Sequence, residues 1–257
     1  MLLDDGGDEA GVVEAEAAGD GGVEVGHDRH CAARARRRED GPMTDSPGTL
    51  ARRERLDLCE TFEAVGPDAP TLCMPWTSRD LAAHLVVREG RPDVASGIWI
   101  PFLKDRTERE QARIAAQPWP DLVEAVRSGP PIWHPAQLPV VDNAVNLAEM
   151  VIHHEDVLRG DGTPGPRREV SPELDAAVWS LLTRMARLLF RRVPSAVELH
   201  APRRPATRVG SGDETVVVTG DPLELLLTAY GRRNVADVEV SGTPEAVAAF
   251  EASRFGL

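Results

Sequence analysis

Residues 141–160, VDNAVNLAEMVIHHEDVLRG, decide how the rest of the chain is read. On a helix at roughly 100° per residue their apolar side chains do not form one stripe: Val145, Ala148 and Ile152 point one way, Leu147, Val151 and Leu158 almost the opposite way. A helix that is apolar on two sides is buried among neighbours. Glu149 and His153 stand four apart and Asp156 three further on, so the three fall within about 60° of one another, on the strip of Val145 and Ile152. A carboxylate and an imidazole inside an apolar surface are costly unless paired. A divalent metal pairs with both, in the charge states usual near neutral pH.

Two ligands do not complete a site, so a third must come from elsewhere. The seven histidines are His27, His30, His84, His134, His153, His154 and His200. The first two fall in a segment of disordered composition, His134 beside Trp133 in a proline-rich loop, and His200 in a late strand-like run. His154 points away from the Glu149 strip, toward Leu147 and Leu158, and reads as a packed or surface histidine. His84 lies on a well-marked helix: Thr77 is a good N-cap, Asp80 stands near N3, and Trp76 can staple against Leu81. From that start Leu81, His84, Leu85 and Arg88 follow at i, i+3, i+4 and i+7, which turns His84 toward the core. Asp156 is either a partner for a ligating imidazole or an exposed acid.

A chain of 257 residues, 42% hydrophobic and 28% charged, can bury one sizeable core and a smaller second one. No apolar run approaches the 18 or so residues of a spanning helix, and no charged start followed by an apolar core marks a secretory signal. A cytoplasmic location is expected. Cys31, Cys59 and Cys73 show no CxxC spacing and read as buried or idle thiols of a reducing compartment. The net charge of -13 argues against nucleic acid.

Residues 1–42 stand apart, with eight acids and no base up to Gly26, then a basic burst at Arg34 to Arg38. So few large apolar side chains cannot offset chain entropy, and the segment is expected to be disordered, with translation starting at Met43. An amphipathic helix is expected over 49–65 with Leu50, Leu56, Cys59, Phe62 and Ala64 inward, ended by Gly66-Pro67. The His84 helix ends near Gly90-Arg91-Pro92. An apolar stretch at 93–103 with Trp99, a polar helix near 107–117 and a short helix from Pro118 to Arg127 follow. Residues 131–139, PIWHPAQLP, are extended by their prolines.

After the 141–160 helix and a Gly/Pro loop, Ser171-Pro172 opens a long helix to about Arg192. The period then changes to two: strands are expected at Val197 to Leu199, 207–210, 215–218 and 237–241, with helices opened by Asp221-Pro222 and Thr243-Pro244. The expected architecture is mainly α, a helical bundle over 43–193 followed by a small α+β domain over 194–257.

Three features together, the Trp-led helix reading DLAAHL, the later helix with E-x-x-x-H-H-E-D, and TGDPLELLLTAYGR followed by VEVSGTPEAV, resemble the mycothiol-dependent maleylpyruvate isomerase group of DinB-like proteins, closest to its actinobacterial metal-binding branch. The resemblance covers about residues 46–257. It implies a DinB-like four-helix bundle holding a divalent metal, usually zinc, through His84, Glu149 and His153, and mycothiol as cofactor. Two imidazoles and one carboxylate leave a coordination position open, as in catalytic zinc sites. Arg88 and Arg159 are candidates for gripping an acidic substrate.

Two functional classes follow: a metal- and mycothiol-dependent transferase or isomerase acting on a small electrophilic or acidic molecule, or a non-catalytic metal-binding or thiol/metal-sensing protein. In either, the partner is a small molecule or low-molecular-weight thiol, neither nucleic acid nor membrane, and the chain is a monomer or homodimer.

Overall fold

The structure, a computed structural model, describes residues 49–90, 104–130 and 139–255. The expectations for residues 1–42, for 93–103 with Trp99, for Trp133 and His134, and for the side chain of Val145 lie outside them.

Helix α1 (Thr49–Val65) stops at Gly66, which takes a φ of 79° and returns its N–H to the Phe62 carbonyl at 3.0 Å. The expected start of α2 (Ser78–Gly90) is present: the Asp80 carboxylate accepts from the Thr77 backbone N–H at 3.0 Å and from its hydroxyl at 2.9 Å. Helices α3 (Lys104–Ala115), α4 (Trp119–Ser128) and α5 (Pro139–Leu158) follow. Helix α1 packs on α4 and α5, and α2 on α3 and α4. One apolar core is shared by Leu58, Cys59 and Phe62 of α1, Leu81 and Leu85 of α2, Ile114 of α3, Leu122 and Val126 of α4, and Met150 and Val157 of α5.

The inward face of α1 differs from the sequence expectation. Leu58 is fully buried and Ala64 is exposed, and the face also carries Glu54 and Arg55. Hydropathy discards charges, yet Arg55 forks onto Glu89 of α2 with two 2.6 Å bonds and donates to the Val126 carbonyl at 3.2 Å. Its burial is therefore paired.

Helix α6 (Pro172–Leu189) opens at Ser171, whose hydroxyl accepts from the Leu174 N–H at 3.2 Å. Strands β1 (Ala196–His200), β2 (Thr207–Val209), β3 (Thr215–Thr219) and β4 (Glu239–Gly242) form a sheet of order β2-β1-β3-β4. The central pair β1 and β3 is parallel and both edges are antiparallel. Helices α7 (Pro222–Ala229) and α8 (Pro244–Ala252) complete the unit, α8 capped by Thr243 at the Ala246 N–H. The alternation seen in sequence places Val197, Leu199, Val216 and Val218 in a second core, together with α6, α7 and α8. The architecture is a helical domain followed by a small α+β region, as expected.

Helix α5 feeds both cores, which is why its apolar residues wrap around it. The partition is not the one a helical wheel suggests: Leu147, Ala148, Val151 and Ile152 all join the core with α6 and the sheet, while Met150 and Val157 join the core shared by α1 to α4. Past its end, Gly160 lies under the 66–77 loop; a Cβ there would stand 1.9 Å from the Pro70 carbonyl oxygen. Only glycine admits that approach. Leu72 also donates its N–H to the Asp156 carbonyl at 3.0 Å, so the loop leading into α2 is pinned to α5. No helix among the described residues is long and apolar enough to cross a membrane.

Candidate metal centre

His84 comes from the middle of α2, Glu149 and His153 from successive turns of α5. Each offers one ligand atom, and these lie within 4.8 Å of one another. The geometry thus brings the three sequence-predicted residues to one point. His153 Nε2 faces the Glu149 carboxylate at 3.3 Å. The His84 ring meets the His153 ring edge-on at 5.5 Å and lies against Trp76 at 5.1 Å; it makes no hydrogen bond among the described residues.

The other side of His153 is held firmly. Its Nδ1 is 2.9 Å from Oδ2 of Asp156, a fully buried carboxylate. Arg232, just past α7, forks onto that carboxylate at 2.9 and 2.8 Å, and the Cys73 thiol donates to it at 3.1 Å. With Asp156 ionised, Nδ1 is the donor and the ring is oriented with Nε2 toward Glu149 and His84, the arrangement that carboxylates impose on metal-binding histidines. Asp156 is thus a partner of the imidazole, not an exposed acid.

Protonation fits such a donor set. Burial, then the neighbouring His153, pushes His84 down to about 4, leaving a neutral ring near pH 7. Burial works to raise Glu149, but the His153 hydrogen bond and Arg88 outweigh it and bring the carboxyl down to about 2. Burial works against charge on His153 too, yet the bonds to Asp156, Cys73 and Glu149 raise it well above 6.5, so the unliganded ring carries a proton that a metal would replace.

The two arginines read as substrate grips differ: Arg159 is away from the candidate centre and Arg88 is beside it. Arg159 is fully buried and fully engaged, with Glu155 at 2.7 Å, Glu224 of α7 at 2.6 and 3.0 Å, and the Val235 carbonyl at 2.8 Å. It is a structural tie with no access to a substrate. Arg88 stands beside the candidate centre, 3.4 Å from Glu149 and donating to Asn146 at 2.7 Å. His154 is packed: its ring nitrogens meet Glu54 and Thr61, each at 2.8 Å. His200, on β1, is paired with Glu198 and partly exposed.

Sequence reasoning missed Cys73 and Arg232. Cys73 was read as idle because no second cysteine stands near it in sequence. Arg232 follows a helix of the other domain, and neither has a periodicity that could point it at α5.

A helical bundle offering two imidazoles and a carboxylate at one point, with an α+β unit reaching in through an arginine, defines the class. Comparison narrows it. Residues 159–249 match the family model of the MDMPI C-terminal domain. Two solved structures share the fold. The mycothiol-dependent maleylpyruvate isomerase is 17% identical, with a TM-score of 0.54 over 76% of this chain and 91% of that one. A histidine-to-alanine mutant of a mycothiol-dependent maleylpyruvate isomerase is 14% identical, with a TM-score of 0.53 and the same coverage. No curated protein matches. The chain shares the fold of these two structures, and its residues 159–249 match the C-terminal domain model, in line with the resemblance read in the sequence.

Proposed function

We propose that the chain is a cytoplasmic, divalent-metal-binding protein of the maleylpyruvate isomerase type, a mycothiol-dependent transferase or isomerase of a small electrophilic or acidic substrate. The observation that carries this reading is the convergence of His84, Glu149 and His153 within 4.8 Å, with His153 steered by Asp156. A zinc ion held there would supply Lewis acidity and favour the ionised form of a bound thiol. The chain's own residues supply the rest. His84 and Glu149 present a neutral nitrogen and a carboxylate without a protonation cost near neutral pH. Arg88 places a positive charge next to the centre, suited to an acidic group on the substrate. Trp76 lies against the His84 ring, adding an apolar wall beside it. The reading extends to the actinobacterial metal-binding branch and to the domain division at residues 43–193 and 194–257.

Metal analysis followed by thiol titration tests this. The purified chain is expected to hold about one equivalent of zinc, with mycothiol perturbing the spectrum of the cobalt-substituted form. His84→Ala and Glu149→Ala should each weaken zinc binding more than ~100-fold, beyond the range typical for lost supporting residues, and lower the melting temperature of the zinc-loaded protein. Full occupancy in either variant would mean that the ligands are others. Zinc present but blind to mycothiol would sink the thiol chemistry and leave a metal-binding or sensing protein.

A further inference from the structure

The backbone of Arg232 is fixed just past α7, independently of what its side chain meets. The Gly231 N–H returns to the Thr228 carbonyl at 2.9 Å and the Arg232 N–H to that of Leu227 at 2.8 Å, a paired closure of the helix end that needs the φ of 86° at Gly231. The Arg232 carbonyl in turn accepts from the N–H groups of Val235 at 3.1 Å and Ala236 at 3.2 Å. Its guanidinium donates through Nη1 to the Tyr230 carbonyl at 2.7 Å, where a cation suits the negative end of the helix. The helical region grips the same turn: the Val235 carbonyl accepts from Arg159 at 2.8 Å and from the Gly165 N–H at 3.1 Å. A firmly held turn of the α+β region therefore delivers the fork that takes both oxygens of Asp156. The Asp156 side chain is fully buried, whereas that of Arg232 is 22% exposed and lines a cavity of about 380 Å³ with Met74 and Asn234.

We propose that Arg232 is a positioning residue of the metal centre: it holds the Asp156 carboxylate against His153 Nδ1, and through that bond makes metal affinity depend on the docked α+β region. All three candidate ligands come from the helices, so the dependence is not built into the ligand set itself. Without the fork the carboxylate can turn away from Nδ1, and the ring loses the restraint that aims Nε2 at Glu149 and His84. The dependence of the metal rests on the reading of His84, Glu149 and His153 given above; the orientation of the His153 ring does not. Coupling of this kind is reciprocal, so a metal on Nε2 also tightens the hold on the 230–236 turn.

The test uses the full chain carrying Arg232→Ala. Chelator competition is expected to find zinc bound about 10- to 100-fold more weakly than in the parent, the range for lost supporting residues. Truncation leaves a space continuous with the cavity, so the free guanidinium ion should restore most of that affinity, and sodium chloride at the same ionic strength should not. Arg232→Lys, which keeps the charge without the fork, should fall between the two and serves where the alanine variant does not fold. In the zinc-free parent the His153 ring N–H bonded to Asp156 should give a downfield proton resonance, lost in Arg232→Ala and returned by guanidinium. Zinc should slow amide exchange across residues 230–236 in the parent and not in Arg232→Ala. A folded Arg232→Ala chain with the zinc affinity and the His153 resonance of the parent overturns the proposal. A loss that guanidinium does not recover overturns positioning and leaves Arg232 a tie of the fold, and equal slowing of exchange in both chains overturns the coupling. A parent that never binds zinc sinks the metal reading instead, and the His153 resonance then still decides whether Arg232 positions the ring.

Discussion

Two adjacent histidines on α5 divide the helix into a side that binds its own protein and a side that waits for something else. His154 has both nitrogens occupied by Glu54 and Thr61, and around it a buried chain of charges runs on. Arg168 bonds Glu54 at 2.5 and 3.0 Å and Glu155 at 2.7 Å; Arg159 bonds Glu155 and Glu224; and Glu224 accepts the Asp237 N–H at 2.8 Å. That network ties α1 and α5 to α7, and every member is matched. On the His153 side, Asp156 fixes the ring through Nδ1, while Nε2, the Glu149 carboxylate and a His84 ring with no hydrogen bond among the described residues converge. Matched charges hold a fold together, whereas two imidazoles and a carboxylate converging on one point offer a ligand site.

The largest effect that would break this contrast is on the matched side. Arg159→Leu leaves Glu224 buried without its cation and Glu155 with Arg168 alone, and is expected to cost about 3–5 kcal/mol in urea unfolding. A loss below about 1 kcal/mol would mean that the network is not what joins the two regions. The neighbouring histidines sharpen the comparison. His153→Ala should abolish zinc binding with a modest change in the stability of the zinc-free chain. His154→Ala should cost ~1–3 kcal/mol, from the lost bonds to the buried Glu54 carboxylate and to Thr61, and keep its zinc. Exchange of these two outcomes would show the helix read one residue out of register.

The smallest effect is in pH. Burial works to raise Glu54, but its bonds to His154 and Arg168 outweigh it, so its folded-state pKa lies below 4.5. The charged form is thus favoured by folding. Its contribution is full above about pH 4.5 and falls away as the pH drops through the lower folded-state value. Acid titration of stability is expected to be shallower in Glu54→Gln than in the parent, and parallel curves would remove Glu54 from the network.

Much of the candidate centre was legible because it is local. Glu149, His153 and Asp156 are spaced for one helical strip, and His84 follows a capping signal that the structure reproduces. The strands were legible from Val197, Leu199, Val216 and Val218, since alternation survives whatever the sheet packs against. What failed depends on partners distant in sequence. Arg159 looked like a substrate grip because sequence does not reveal that Glu224, 65 residues on, reaches it. Glu54 and Arg55 were passed over on α1 because burial of a charge is unfavourable until its counter-charge is known.

Sequence alone determined the helix and strand inventory, the order of a helical region before an α+β region, and the residue types that can ligate a metal, because capping, periodicity and side-chain chemistry act over a few residues. Tertiary structure decided which arginines are consumed, that Asp156 is buried under Arg232, and that Cys73 stands beside His153. Those contacts are set by chain segments meeting at close range, as where Gly160 lets the 66–77 loop lie on the end of α5, and no local pattern encodes such a meeting.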